Sequence, residues 1–118
     1  MDKLENIFRL QRMFDDELAK KRGLEGIPME LWIQKETLAV LSELAELIDE
    51  VNFKWWKNEK PVDMDKVKEE LVDILHFFVS MCIKTGMDAD ELHGRYLEKN
   101  SENFARQDGR SAKEGYRA

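Results

Sequence analysis

Glu70-Leu71-Val72-Asp73-Ile74-Leu75-His76-Phe77-Phe78-Val79 places two carboxylates three residues apart inside an otherwise apolar run. A helix that is apolar nearly all round belongs in a core. An ionised carboxylate in a core is costly unless it is paired or bound to a cation. Asp73 therefore calls for a partner elsewhere in the chain. At about 100° per residue, Val67, Leu71, Ile74, Leu75, Phe78 and Cys82 make one stripe, and Val72, Val79 and Ile83 a second. Glu70, Asp73 and Phe77 share a third side. A helix with two apolar sides needs two packing partners, which predicts an all-α, four- to five-helix bundle completed by dimerisation. The helix is expected over about 64–85, with Asp63 or Asp65 as its cap and Gly86 as its stop.

The same periodicity extends outward. Leu4, Ile7, Phe8, Leu10, Phe14 and Leu18 predict a first helix over about 4–20, with Gln11 and Asp15 one turn apart beside the apolar stripe. These two are either ordinary polar surface residues or part of a site. Gly23 to Pro28 is a turn, and Pro28 suits the start of a second helix, expected over about 29–56. Its apolar face carries Leu38, Leu41, Leu44, Ala45, Leu47, Ile48 and Val51. Its opposite side carries Glu36, Glu43, Glu46 and Glu50 in one column. Like charges at these spacings repel, so the column is either a solvated face or a cation site. Trp55 and Trp56 would point about 100° apart on such a helix, one packing and the other walling a pocket. Asp88-Ala89-Asp90-Glu91 reads as a capping box opening a fourth helix, with Leu92, Tyr96 and Leu97 on its inner face. The polar stretch from Gln107 is expected to be a mobile tail, able to offer Arg106, Arg110 or Lys113 to an anion.

The 118 residues suffice for a single domain over 1–118. A net charge of −6 argues against a nucleic-acid polymer as partner. It leaves a nucleotide substrate open, because bound cations can invert the local field. The longest apolar stretch is too short to span a bilayer, and the N-terminus has no signal-peptide core. Cys82 is the single cysteine, so no intrachain disulfide is expected. A cytoplasmic protein that does not bind membranes is the expectation.

If the second and third helices are antiparallel neighbours, Glu43-x-x-Glu46 and Glu70-x-x-Asp73 converge. Hard oxygen ligands of this kind suit magnesium, with manganese as the alternative. Two ions about 3.5–4 Å apart would activate a water and stabilise a leaving phosphate oxygen.

The paired motifs resemble the signature of the all-α nucleoside triphosphate pyrophosphatases, the MazG-like superfamily. Gln11, the Glu43 to Glu50 segment, Phe53-Lys54-Trp55-Trp56, Val72 to Phe77, Asn103-x-x-Arg106-Gln107 and Gly115-Tyr116 are similar to its dimeric dUTPase branch. The resemblance implies magnesium-dependent conversion of dUTP to dUMP and pyrophosphate by a homodimer. It gives Glu43, Glu46, Glu70 and Asp73 to the metals, with Glu46 and Glu43 as the catalytic pair orienting the water. It gives Gln11, Asp15, Trp55, Trp56, Lys57, His76, Phe77, Asn103, Arg106, Lys113 and Tyr116 to the nucleotide, with Phe77 as a check against a 2′-hydroxyl. Glu50 becomes a support for the metals.

One departure bears on the base. The residue four after the base-reading glutamine is often Asn in this branch; here it is Asp15, which accepts hydrogen bonds and favours a cytosine amino group. A dCTP-directed or broader triphosphate diphosphatase is therefore the alternative of the same class. A carboxylate-bridged di-iron bundle, from Asp73-x-x-His76 and Asp90-x-x-His93, fits less well because Asp90 lies in a first helical turn. A non-catalytic helical dimerisation module, with merely solvated acids, is the alternative of a different class.

Overall fold

The computed structural model describes residues 1–116. Its helices are α1 (Lys3–Arg22), α2 (Met29–Glu50), α3 (Met64–Lys84) and α4 (Ala89–Gln107), with no strand among the described residues. The all-α expectation is borne out. The chain divides into two compact units, Met1–Gly86 and the residues from Met87 onward.

In the first unit, α1 is capped by Asp2, whose side chain accepts from the Glu5 amide, and closed by Gly23 at φ 63°, whose N–H donates to the Ala19 carbonyl. A left-handed residue ends a helix most cheaply when it is glycine. Asp63 caps α3 by accepting from the Asp65 and Lys66 amides.

Both other helices pack on α3. Parallel α1 meets it through Gln11–His76 and Asp15–Ser80 contacts. Antiparallel α2 meets it through Glu36–Ser80 at one end and the Glu43–Glu70 cluster at the other. Phe8, Val79 and Cys82 are buried. A row of apolar residues is not: Leu38, Leu41, Leu44 and Ile48 of α2 are exposed, as are Leu71, Val72, Leu75 and Phe78 of α3.

The second helix is shorter than its periodicity predicts. It stops at Glu50, and Asn52 adopts φ 58°. Asparagine tolerates this left-handed conformation better than other non-glycine residues. Its side chain then staples the following loop: Nδ2 donates to the Lys60 carbonyl at 2.8 Å, and Oδ1 accepts from the Lys60 amide at 3.0 Å. Trp55 and Trp56 therefore sit in a turn, not on a helix. Their rings meet edge to face, with centroids 4.7 Å apart. Replacing Asn52 with Ala removes both staple bonds. The Lys60 amide is expected to lose hydrogen-exchange protection while the amides of α3 keep theirs; unchanged protection at Lys60 would show that the loop is held by something else.

In the second unit, Asp88 caps α4 by accepting from the Glu91 amide at 2.8 Å. Only this half of the expected box forms, because Glu91 pairs with Arg95 at 2.8 Å. Beyond the helix, Ser111 Oγ donates to Glu102 at 2.7 Å, and the same carboxylate oxygen accepts from Arg106 Nε at 3.1 Å. The Ser111 hydrogen bond, with Arg106 beside it, holds the Glu102 carboxyl below its ordinary range. The Arg106 guanidinium lies 5.4 Å from the centre of the Tyr116 ring. No helix among the described residues is long and apolar enough to cross a membrane.

Candidate active site

The antiparallel pairing of α2 and α3 gathers Glu43, Glu46 and Glu70. Each offers a carboxylate oxygen within 4.8 Å of the others. Glu43 and Glu70 are half-buried and Glu46 is exposed. The Oε2 atoms of Glu43 and Glu70 are both buried without a hydrogen-bond partner. Such atoms are costly to leave unpaired, and a cation would satisfy both. The Glu43 carboxyl set against it pushes the Glu70 carboxyl up from 4.5 to about 7, with burial and the charge of Glu46 adding to it. An all-oxygen donor set of this kind fits magnesium or manganese.

Asp73 lies outside that group of three and is exposed. Asp73 is thus not the buried carboxylate that its apolar neighbours predict, because α3 leaves Val72 and its neighbours open as well. Asp73 instead lines a cavity of about 810 Å³ between α1, α2 and α3, together with Glu43, His76, Phe77, Gln11 and Asp15. That volume suits a small-molecule ligand. Glu43 thus belongs to both the carboxylate cluster and the cavity wall. Glu50 is turned away to Lys60, at 3.7 Å.

The floor of the cavity is a polar network that periodicity does not reveal. Glu36, only 7% exposed, accepts at Oε1 from Ser80 Oγ (2.6 Å) and Lys84 Nζ (2.9 Å). Ser80 Oγ also lies 2.7 Å from Asp15 Oδ2, and Lys84 Nζ sits 3.9 Å from the centre of the Trp32 ring. Asp15 Oδ1 accepts from Gln11 Nε2 at 3.0 Å, and Gln11 Oε1 lies 2.7 Å from His76 Nδ1. Glu36, Ser80, Lys84 and Trp32 are absent from the residues expected of the site. Glu36 was visible only as the first member of the glutamate column. Its pairing with Lys84, 48 residues away in sequence, is a tertiary fact.

Trp55, Trp56 and Lys57 do not line this cavity. They belong to the loop after α2, where Lys57 borders a smaller hollow of about 280 Å³ with Asn52, Phe53 and Lys60. Asn103, Arg106, Lys113 and Tyr116 belong to the second unit.

A family model described as dUTPase matches residues 3–91, which takes in the cluster, the cavity and the loop between α2 and α3. The chain belongs to the dUTPase family. The resemblance to the dUTPase branch of the all-α pyrophosphatases is borne out. The chain is also similar to two phage proteins named dCTP pyrophosphatase. That of Enterobacteria phage LZ5 is 40% identical over 75 residues, and that of Enterobacteria phage T4 is 39% identical over 75 residues. Each alignment takes in 64% of this chain and 44% of the relative, so the chain spans less than half the length of these curated relatives. No solved structure matches the chain.

Proposed function

We propose that the chain is a magnesium-dependent deoxynucleoside triphosphate diphosphatase, cleaving dUTP or dCTP to the monophosphate and pyrophosphate. The observation that carries this reading is the junction of three convergent glutamates with a nucleoside-sized cavity through a shared residue, Glu43. Family membership supports dUTP, and the names of the phage relatives support dCTP. Glu43, Glu46 and Glu70 would hold magnesium, with manganese as the substitute and Asp73 as the fourth ligand. When bound, the metal neutralises the phosphates and lowers the pKa of a water.

The protein's own groups do the rest. Glu46, the exposed member of the cluster, orients the attacking water and takes up its proton. The water oxygen bonds to phosphorus as the α–β anhydride bond breaks, and pyrophosphate leaves with the bond pair. Phe77, on the cavity wall one turn after Asp73, checks the sugar for a 2′-hydroxyl. The nucleotide-binding roles expected of Trp55, Trp56, Lys57, Asn103, Arg106, Lys113 and Tyr116 rest on the resemblance alone. The exposed apolar rows of α2 and α3 support a homodimer, since monomers seldom leave so many apolar side chains contiguous in solvent. An enzyme of nucleotide pools is proposed to act in the cytoplasm.

The test is a panel of dUTP, dCTP, dTTP and UTP, each with magnesium or EDTA. Pyrophosphate is expected from dUTP or dCTP with magnesium and not with EDTA, and more slowly from UTP. No turnover of any of the four would support the non-catalytic helical module. Equal rates on UTP and the deoxynucleotides would remove the sugar-checking role of Phe77.

A further inference from the structure

Resting on the reading that the cavity receives the nucleoside, the hydrogen-bond chain on its floor has a fixed polarity. An ionised carboxylate only accepts hydrogen bonds. Asp15 Oδ1 accepts from the Gln11 amide at 3.0 Å, while Oδ2 shares the single Ser80 hydroxyl hydrogen with Glu36, at 2.7 Å from Oγ, and lies 4.0 Å from Lys84 Nζ. Gln11 must therefore turn its NH₂ toward Asp15. Its carbonyl Oε1 is then the atom that faces His76 Nδ1 at 2.7 Å. An amide carbonyl only accepts as well, so the hydrogen between them sits on Nδ1. In a neutral imidazole with its hydrogen on Nδ1, Nε2 carries a lone pair. Gln11 is 6% exposed and held at both ends, so no solvent competes for either half of its amide.

His76 lines the cavity, and its Nε2 has no hydrogen-bond partner among the described residues. The cavity thus presents an acceptor there. The 4-position of cytosine carries an amino donor, whereas a base with a 4-carbonyl presents an acceptor at the same place. Two acceptors that face each other leave both unpaired once the bound base has displaced water from His76, and a group stripped of water without a partner is a source of rejection.

We propose that Asp15 is a positioning residue for base selection. Acting through Gln11, it holds His76 in the Nδ1–H form, so that the cavity selects a pyrimidine with a 4-amino group over one with a 4-carbonyl. Asparagine at position 15 breaks the polarity. An amide can donate or accept, so Gln11 is free to reverse, offer its NH₂ to Nδ1 and move the imidazole hydrogen to Nε2. The cavity then presents a donor, which suits a 4-carbonyl. One side chain that never touches the base would set which base is read.

The test uses the full chain, uniformly ¹⁵N-labelled. It has two histidines, so His93 serves as the internal reference. At about pH 8, above the ordinary imidazole pKa, long-range ¹H–¹⁵N spectra are expected to show His76 as the Nδ1–H tautomer. Asp15→Asn is expected to convert it to Nε2–H. The same substitution is expected to lower the kcat/KM ratio of dCTP to dUTP about tenfold or more, and to shift binding preference from dCMP toward dUMP. A wild-type His76 found as Nε2–H overturns the proposal without any variant being needed. So does an Asp15→Asn protein whose nucleotide preference is unchanged. If neither triphosphate is hydrolysed while dCMP binds in preference to dUMP and His76 is Nδ1–H, the diphosphatase reading fails and the relay stands.

Discussion

Glu70→Gln is expected to lower magnesium-dependent turnover about a thousandfold, the scale on which loss of a group stabilising the transition state is felt. Glu70 belongs to the cluster with Glu43 and Glu46, and its buried Oε2 has no partner within the protein. A neutral amide fills the same space but is a poor ligand for a hard cation. The substitution also has a signature that does not depend on activity. The Glu70 carboxyl is raised from 4.5 to about 7, first by the adjoining Glu43 carboxyl. A carboxyl with a raised folded-state value stabilises the fold below its unfolded pKa, and that stabilisation is lost as pH rises through the folded value. The metal-free wild type is therefore expected to lose stability between pH 4.5 and about 7, with this slope reduced in Glu70→Gln. Thermal melts across that range, with and without magnesium, check both arms. The wild type is expected to gain in melting temperature with magnesium above the window, and the variant to gain little. A variant that keeps wild-type turnover would remove Glu70 from the site.

Lys84→Met is expected to cost about 3 kcal/mol of stability, lowering the melting temperature by roughly 10–20 °C. Lys84 is the cation nearest the buried Glu36, at 2.9 Å from Oε1, and lies 4.0 Å from Asp15. Without it, two carboxylates face one serine hydroxyl that has one hydrogen to give. Glu36 Oε2 already lacks a partner, so nothing local takes over. The contact with the Trp32 ring is lost too. The loss is expected to be recovered in large part by Glu36→Leu combined with Lys84→Met, because an apolar pair often replaces a buried ion pair at little cost. A single variant within about 0.5 kcal/mol of wild type would show that Lys84 is a surface charge with no structural role.

What the sequence discloses and what it hides divide along the range of the interactions. The stripes of α3, the caps at Asp63 and Asp88 and the turn at Gly23 are local signals, and each appears where periodicity and capping chemistry put it. Glu43 and Glu46 are legible as members of a same-sign column on the second helix, and Glu70 as a carboxylate one turn before Asp73 in an apolar run. The end of α2 was not legible, because the left-handed turn at Asn52 is fixed by bonds to Lys60, eight residues on, and leaves no mark on helical periodicity. The apolar neighbours of Asp73 mark it as the carboxylate to be buried. The structure buries Glu36 instead, where α2 crosses Ser80 and Lys84. Which acid is buried depends on helix crossing, and one helix's pattern does not contain that. The pairing of Gln11 with Asp15, one turn apart, follows from helical spacing, but the link from Gln11 to His76 exists only because α1 runs parallel to α3.

³¹P NMR of dCTP and dUTP incubated with the full chain and magnesium follows the cleavage itself. Cleavage between the α and β phosphorus atoms predicts that pyrophosphate and the nucleoside monophosphate appear together in equal amounts, with no orthophosphate, and that EDTA stops both. Orthophosphate as the first product, or intact nucleotide in every sample, would contradict it.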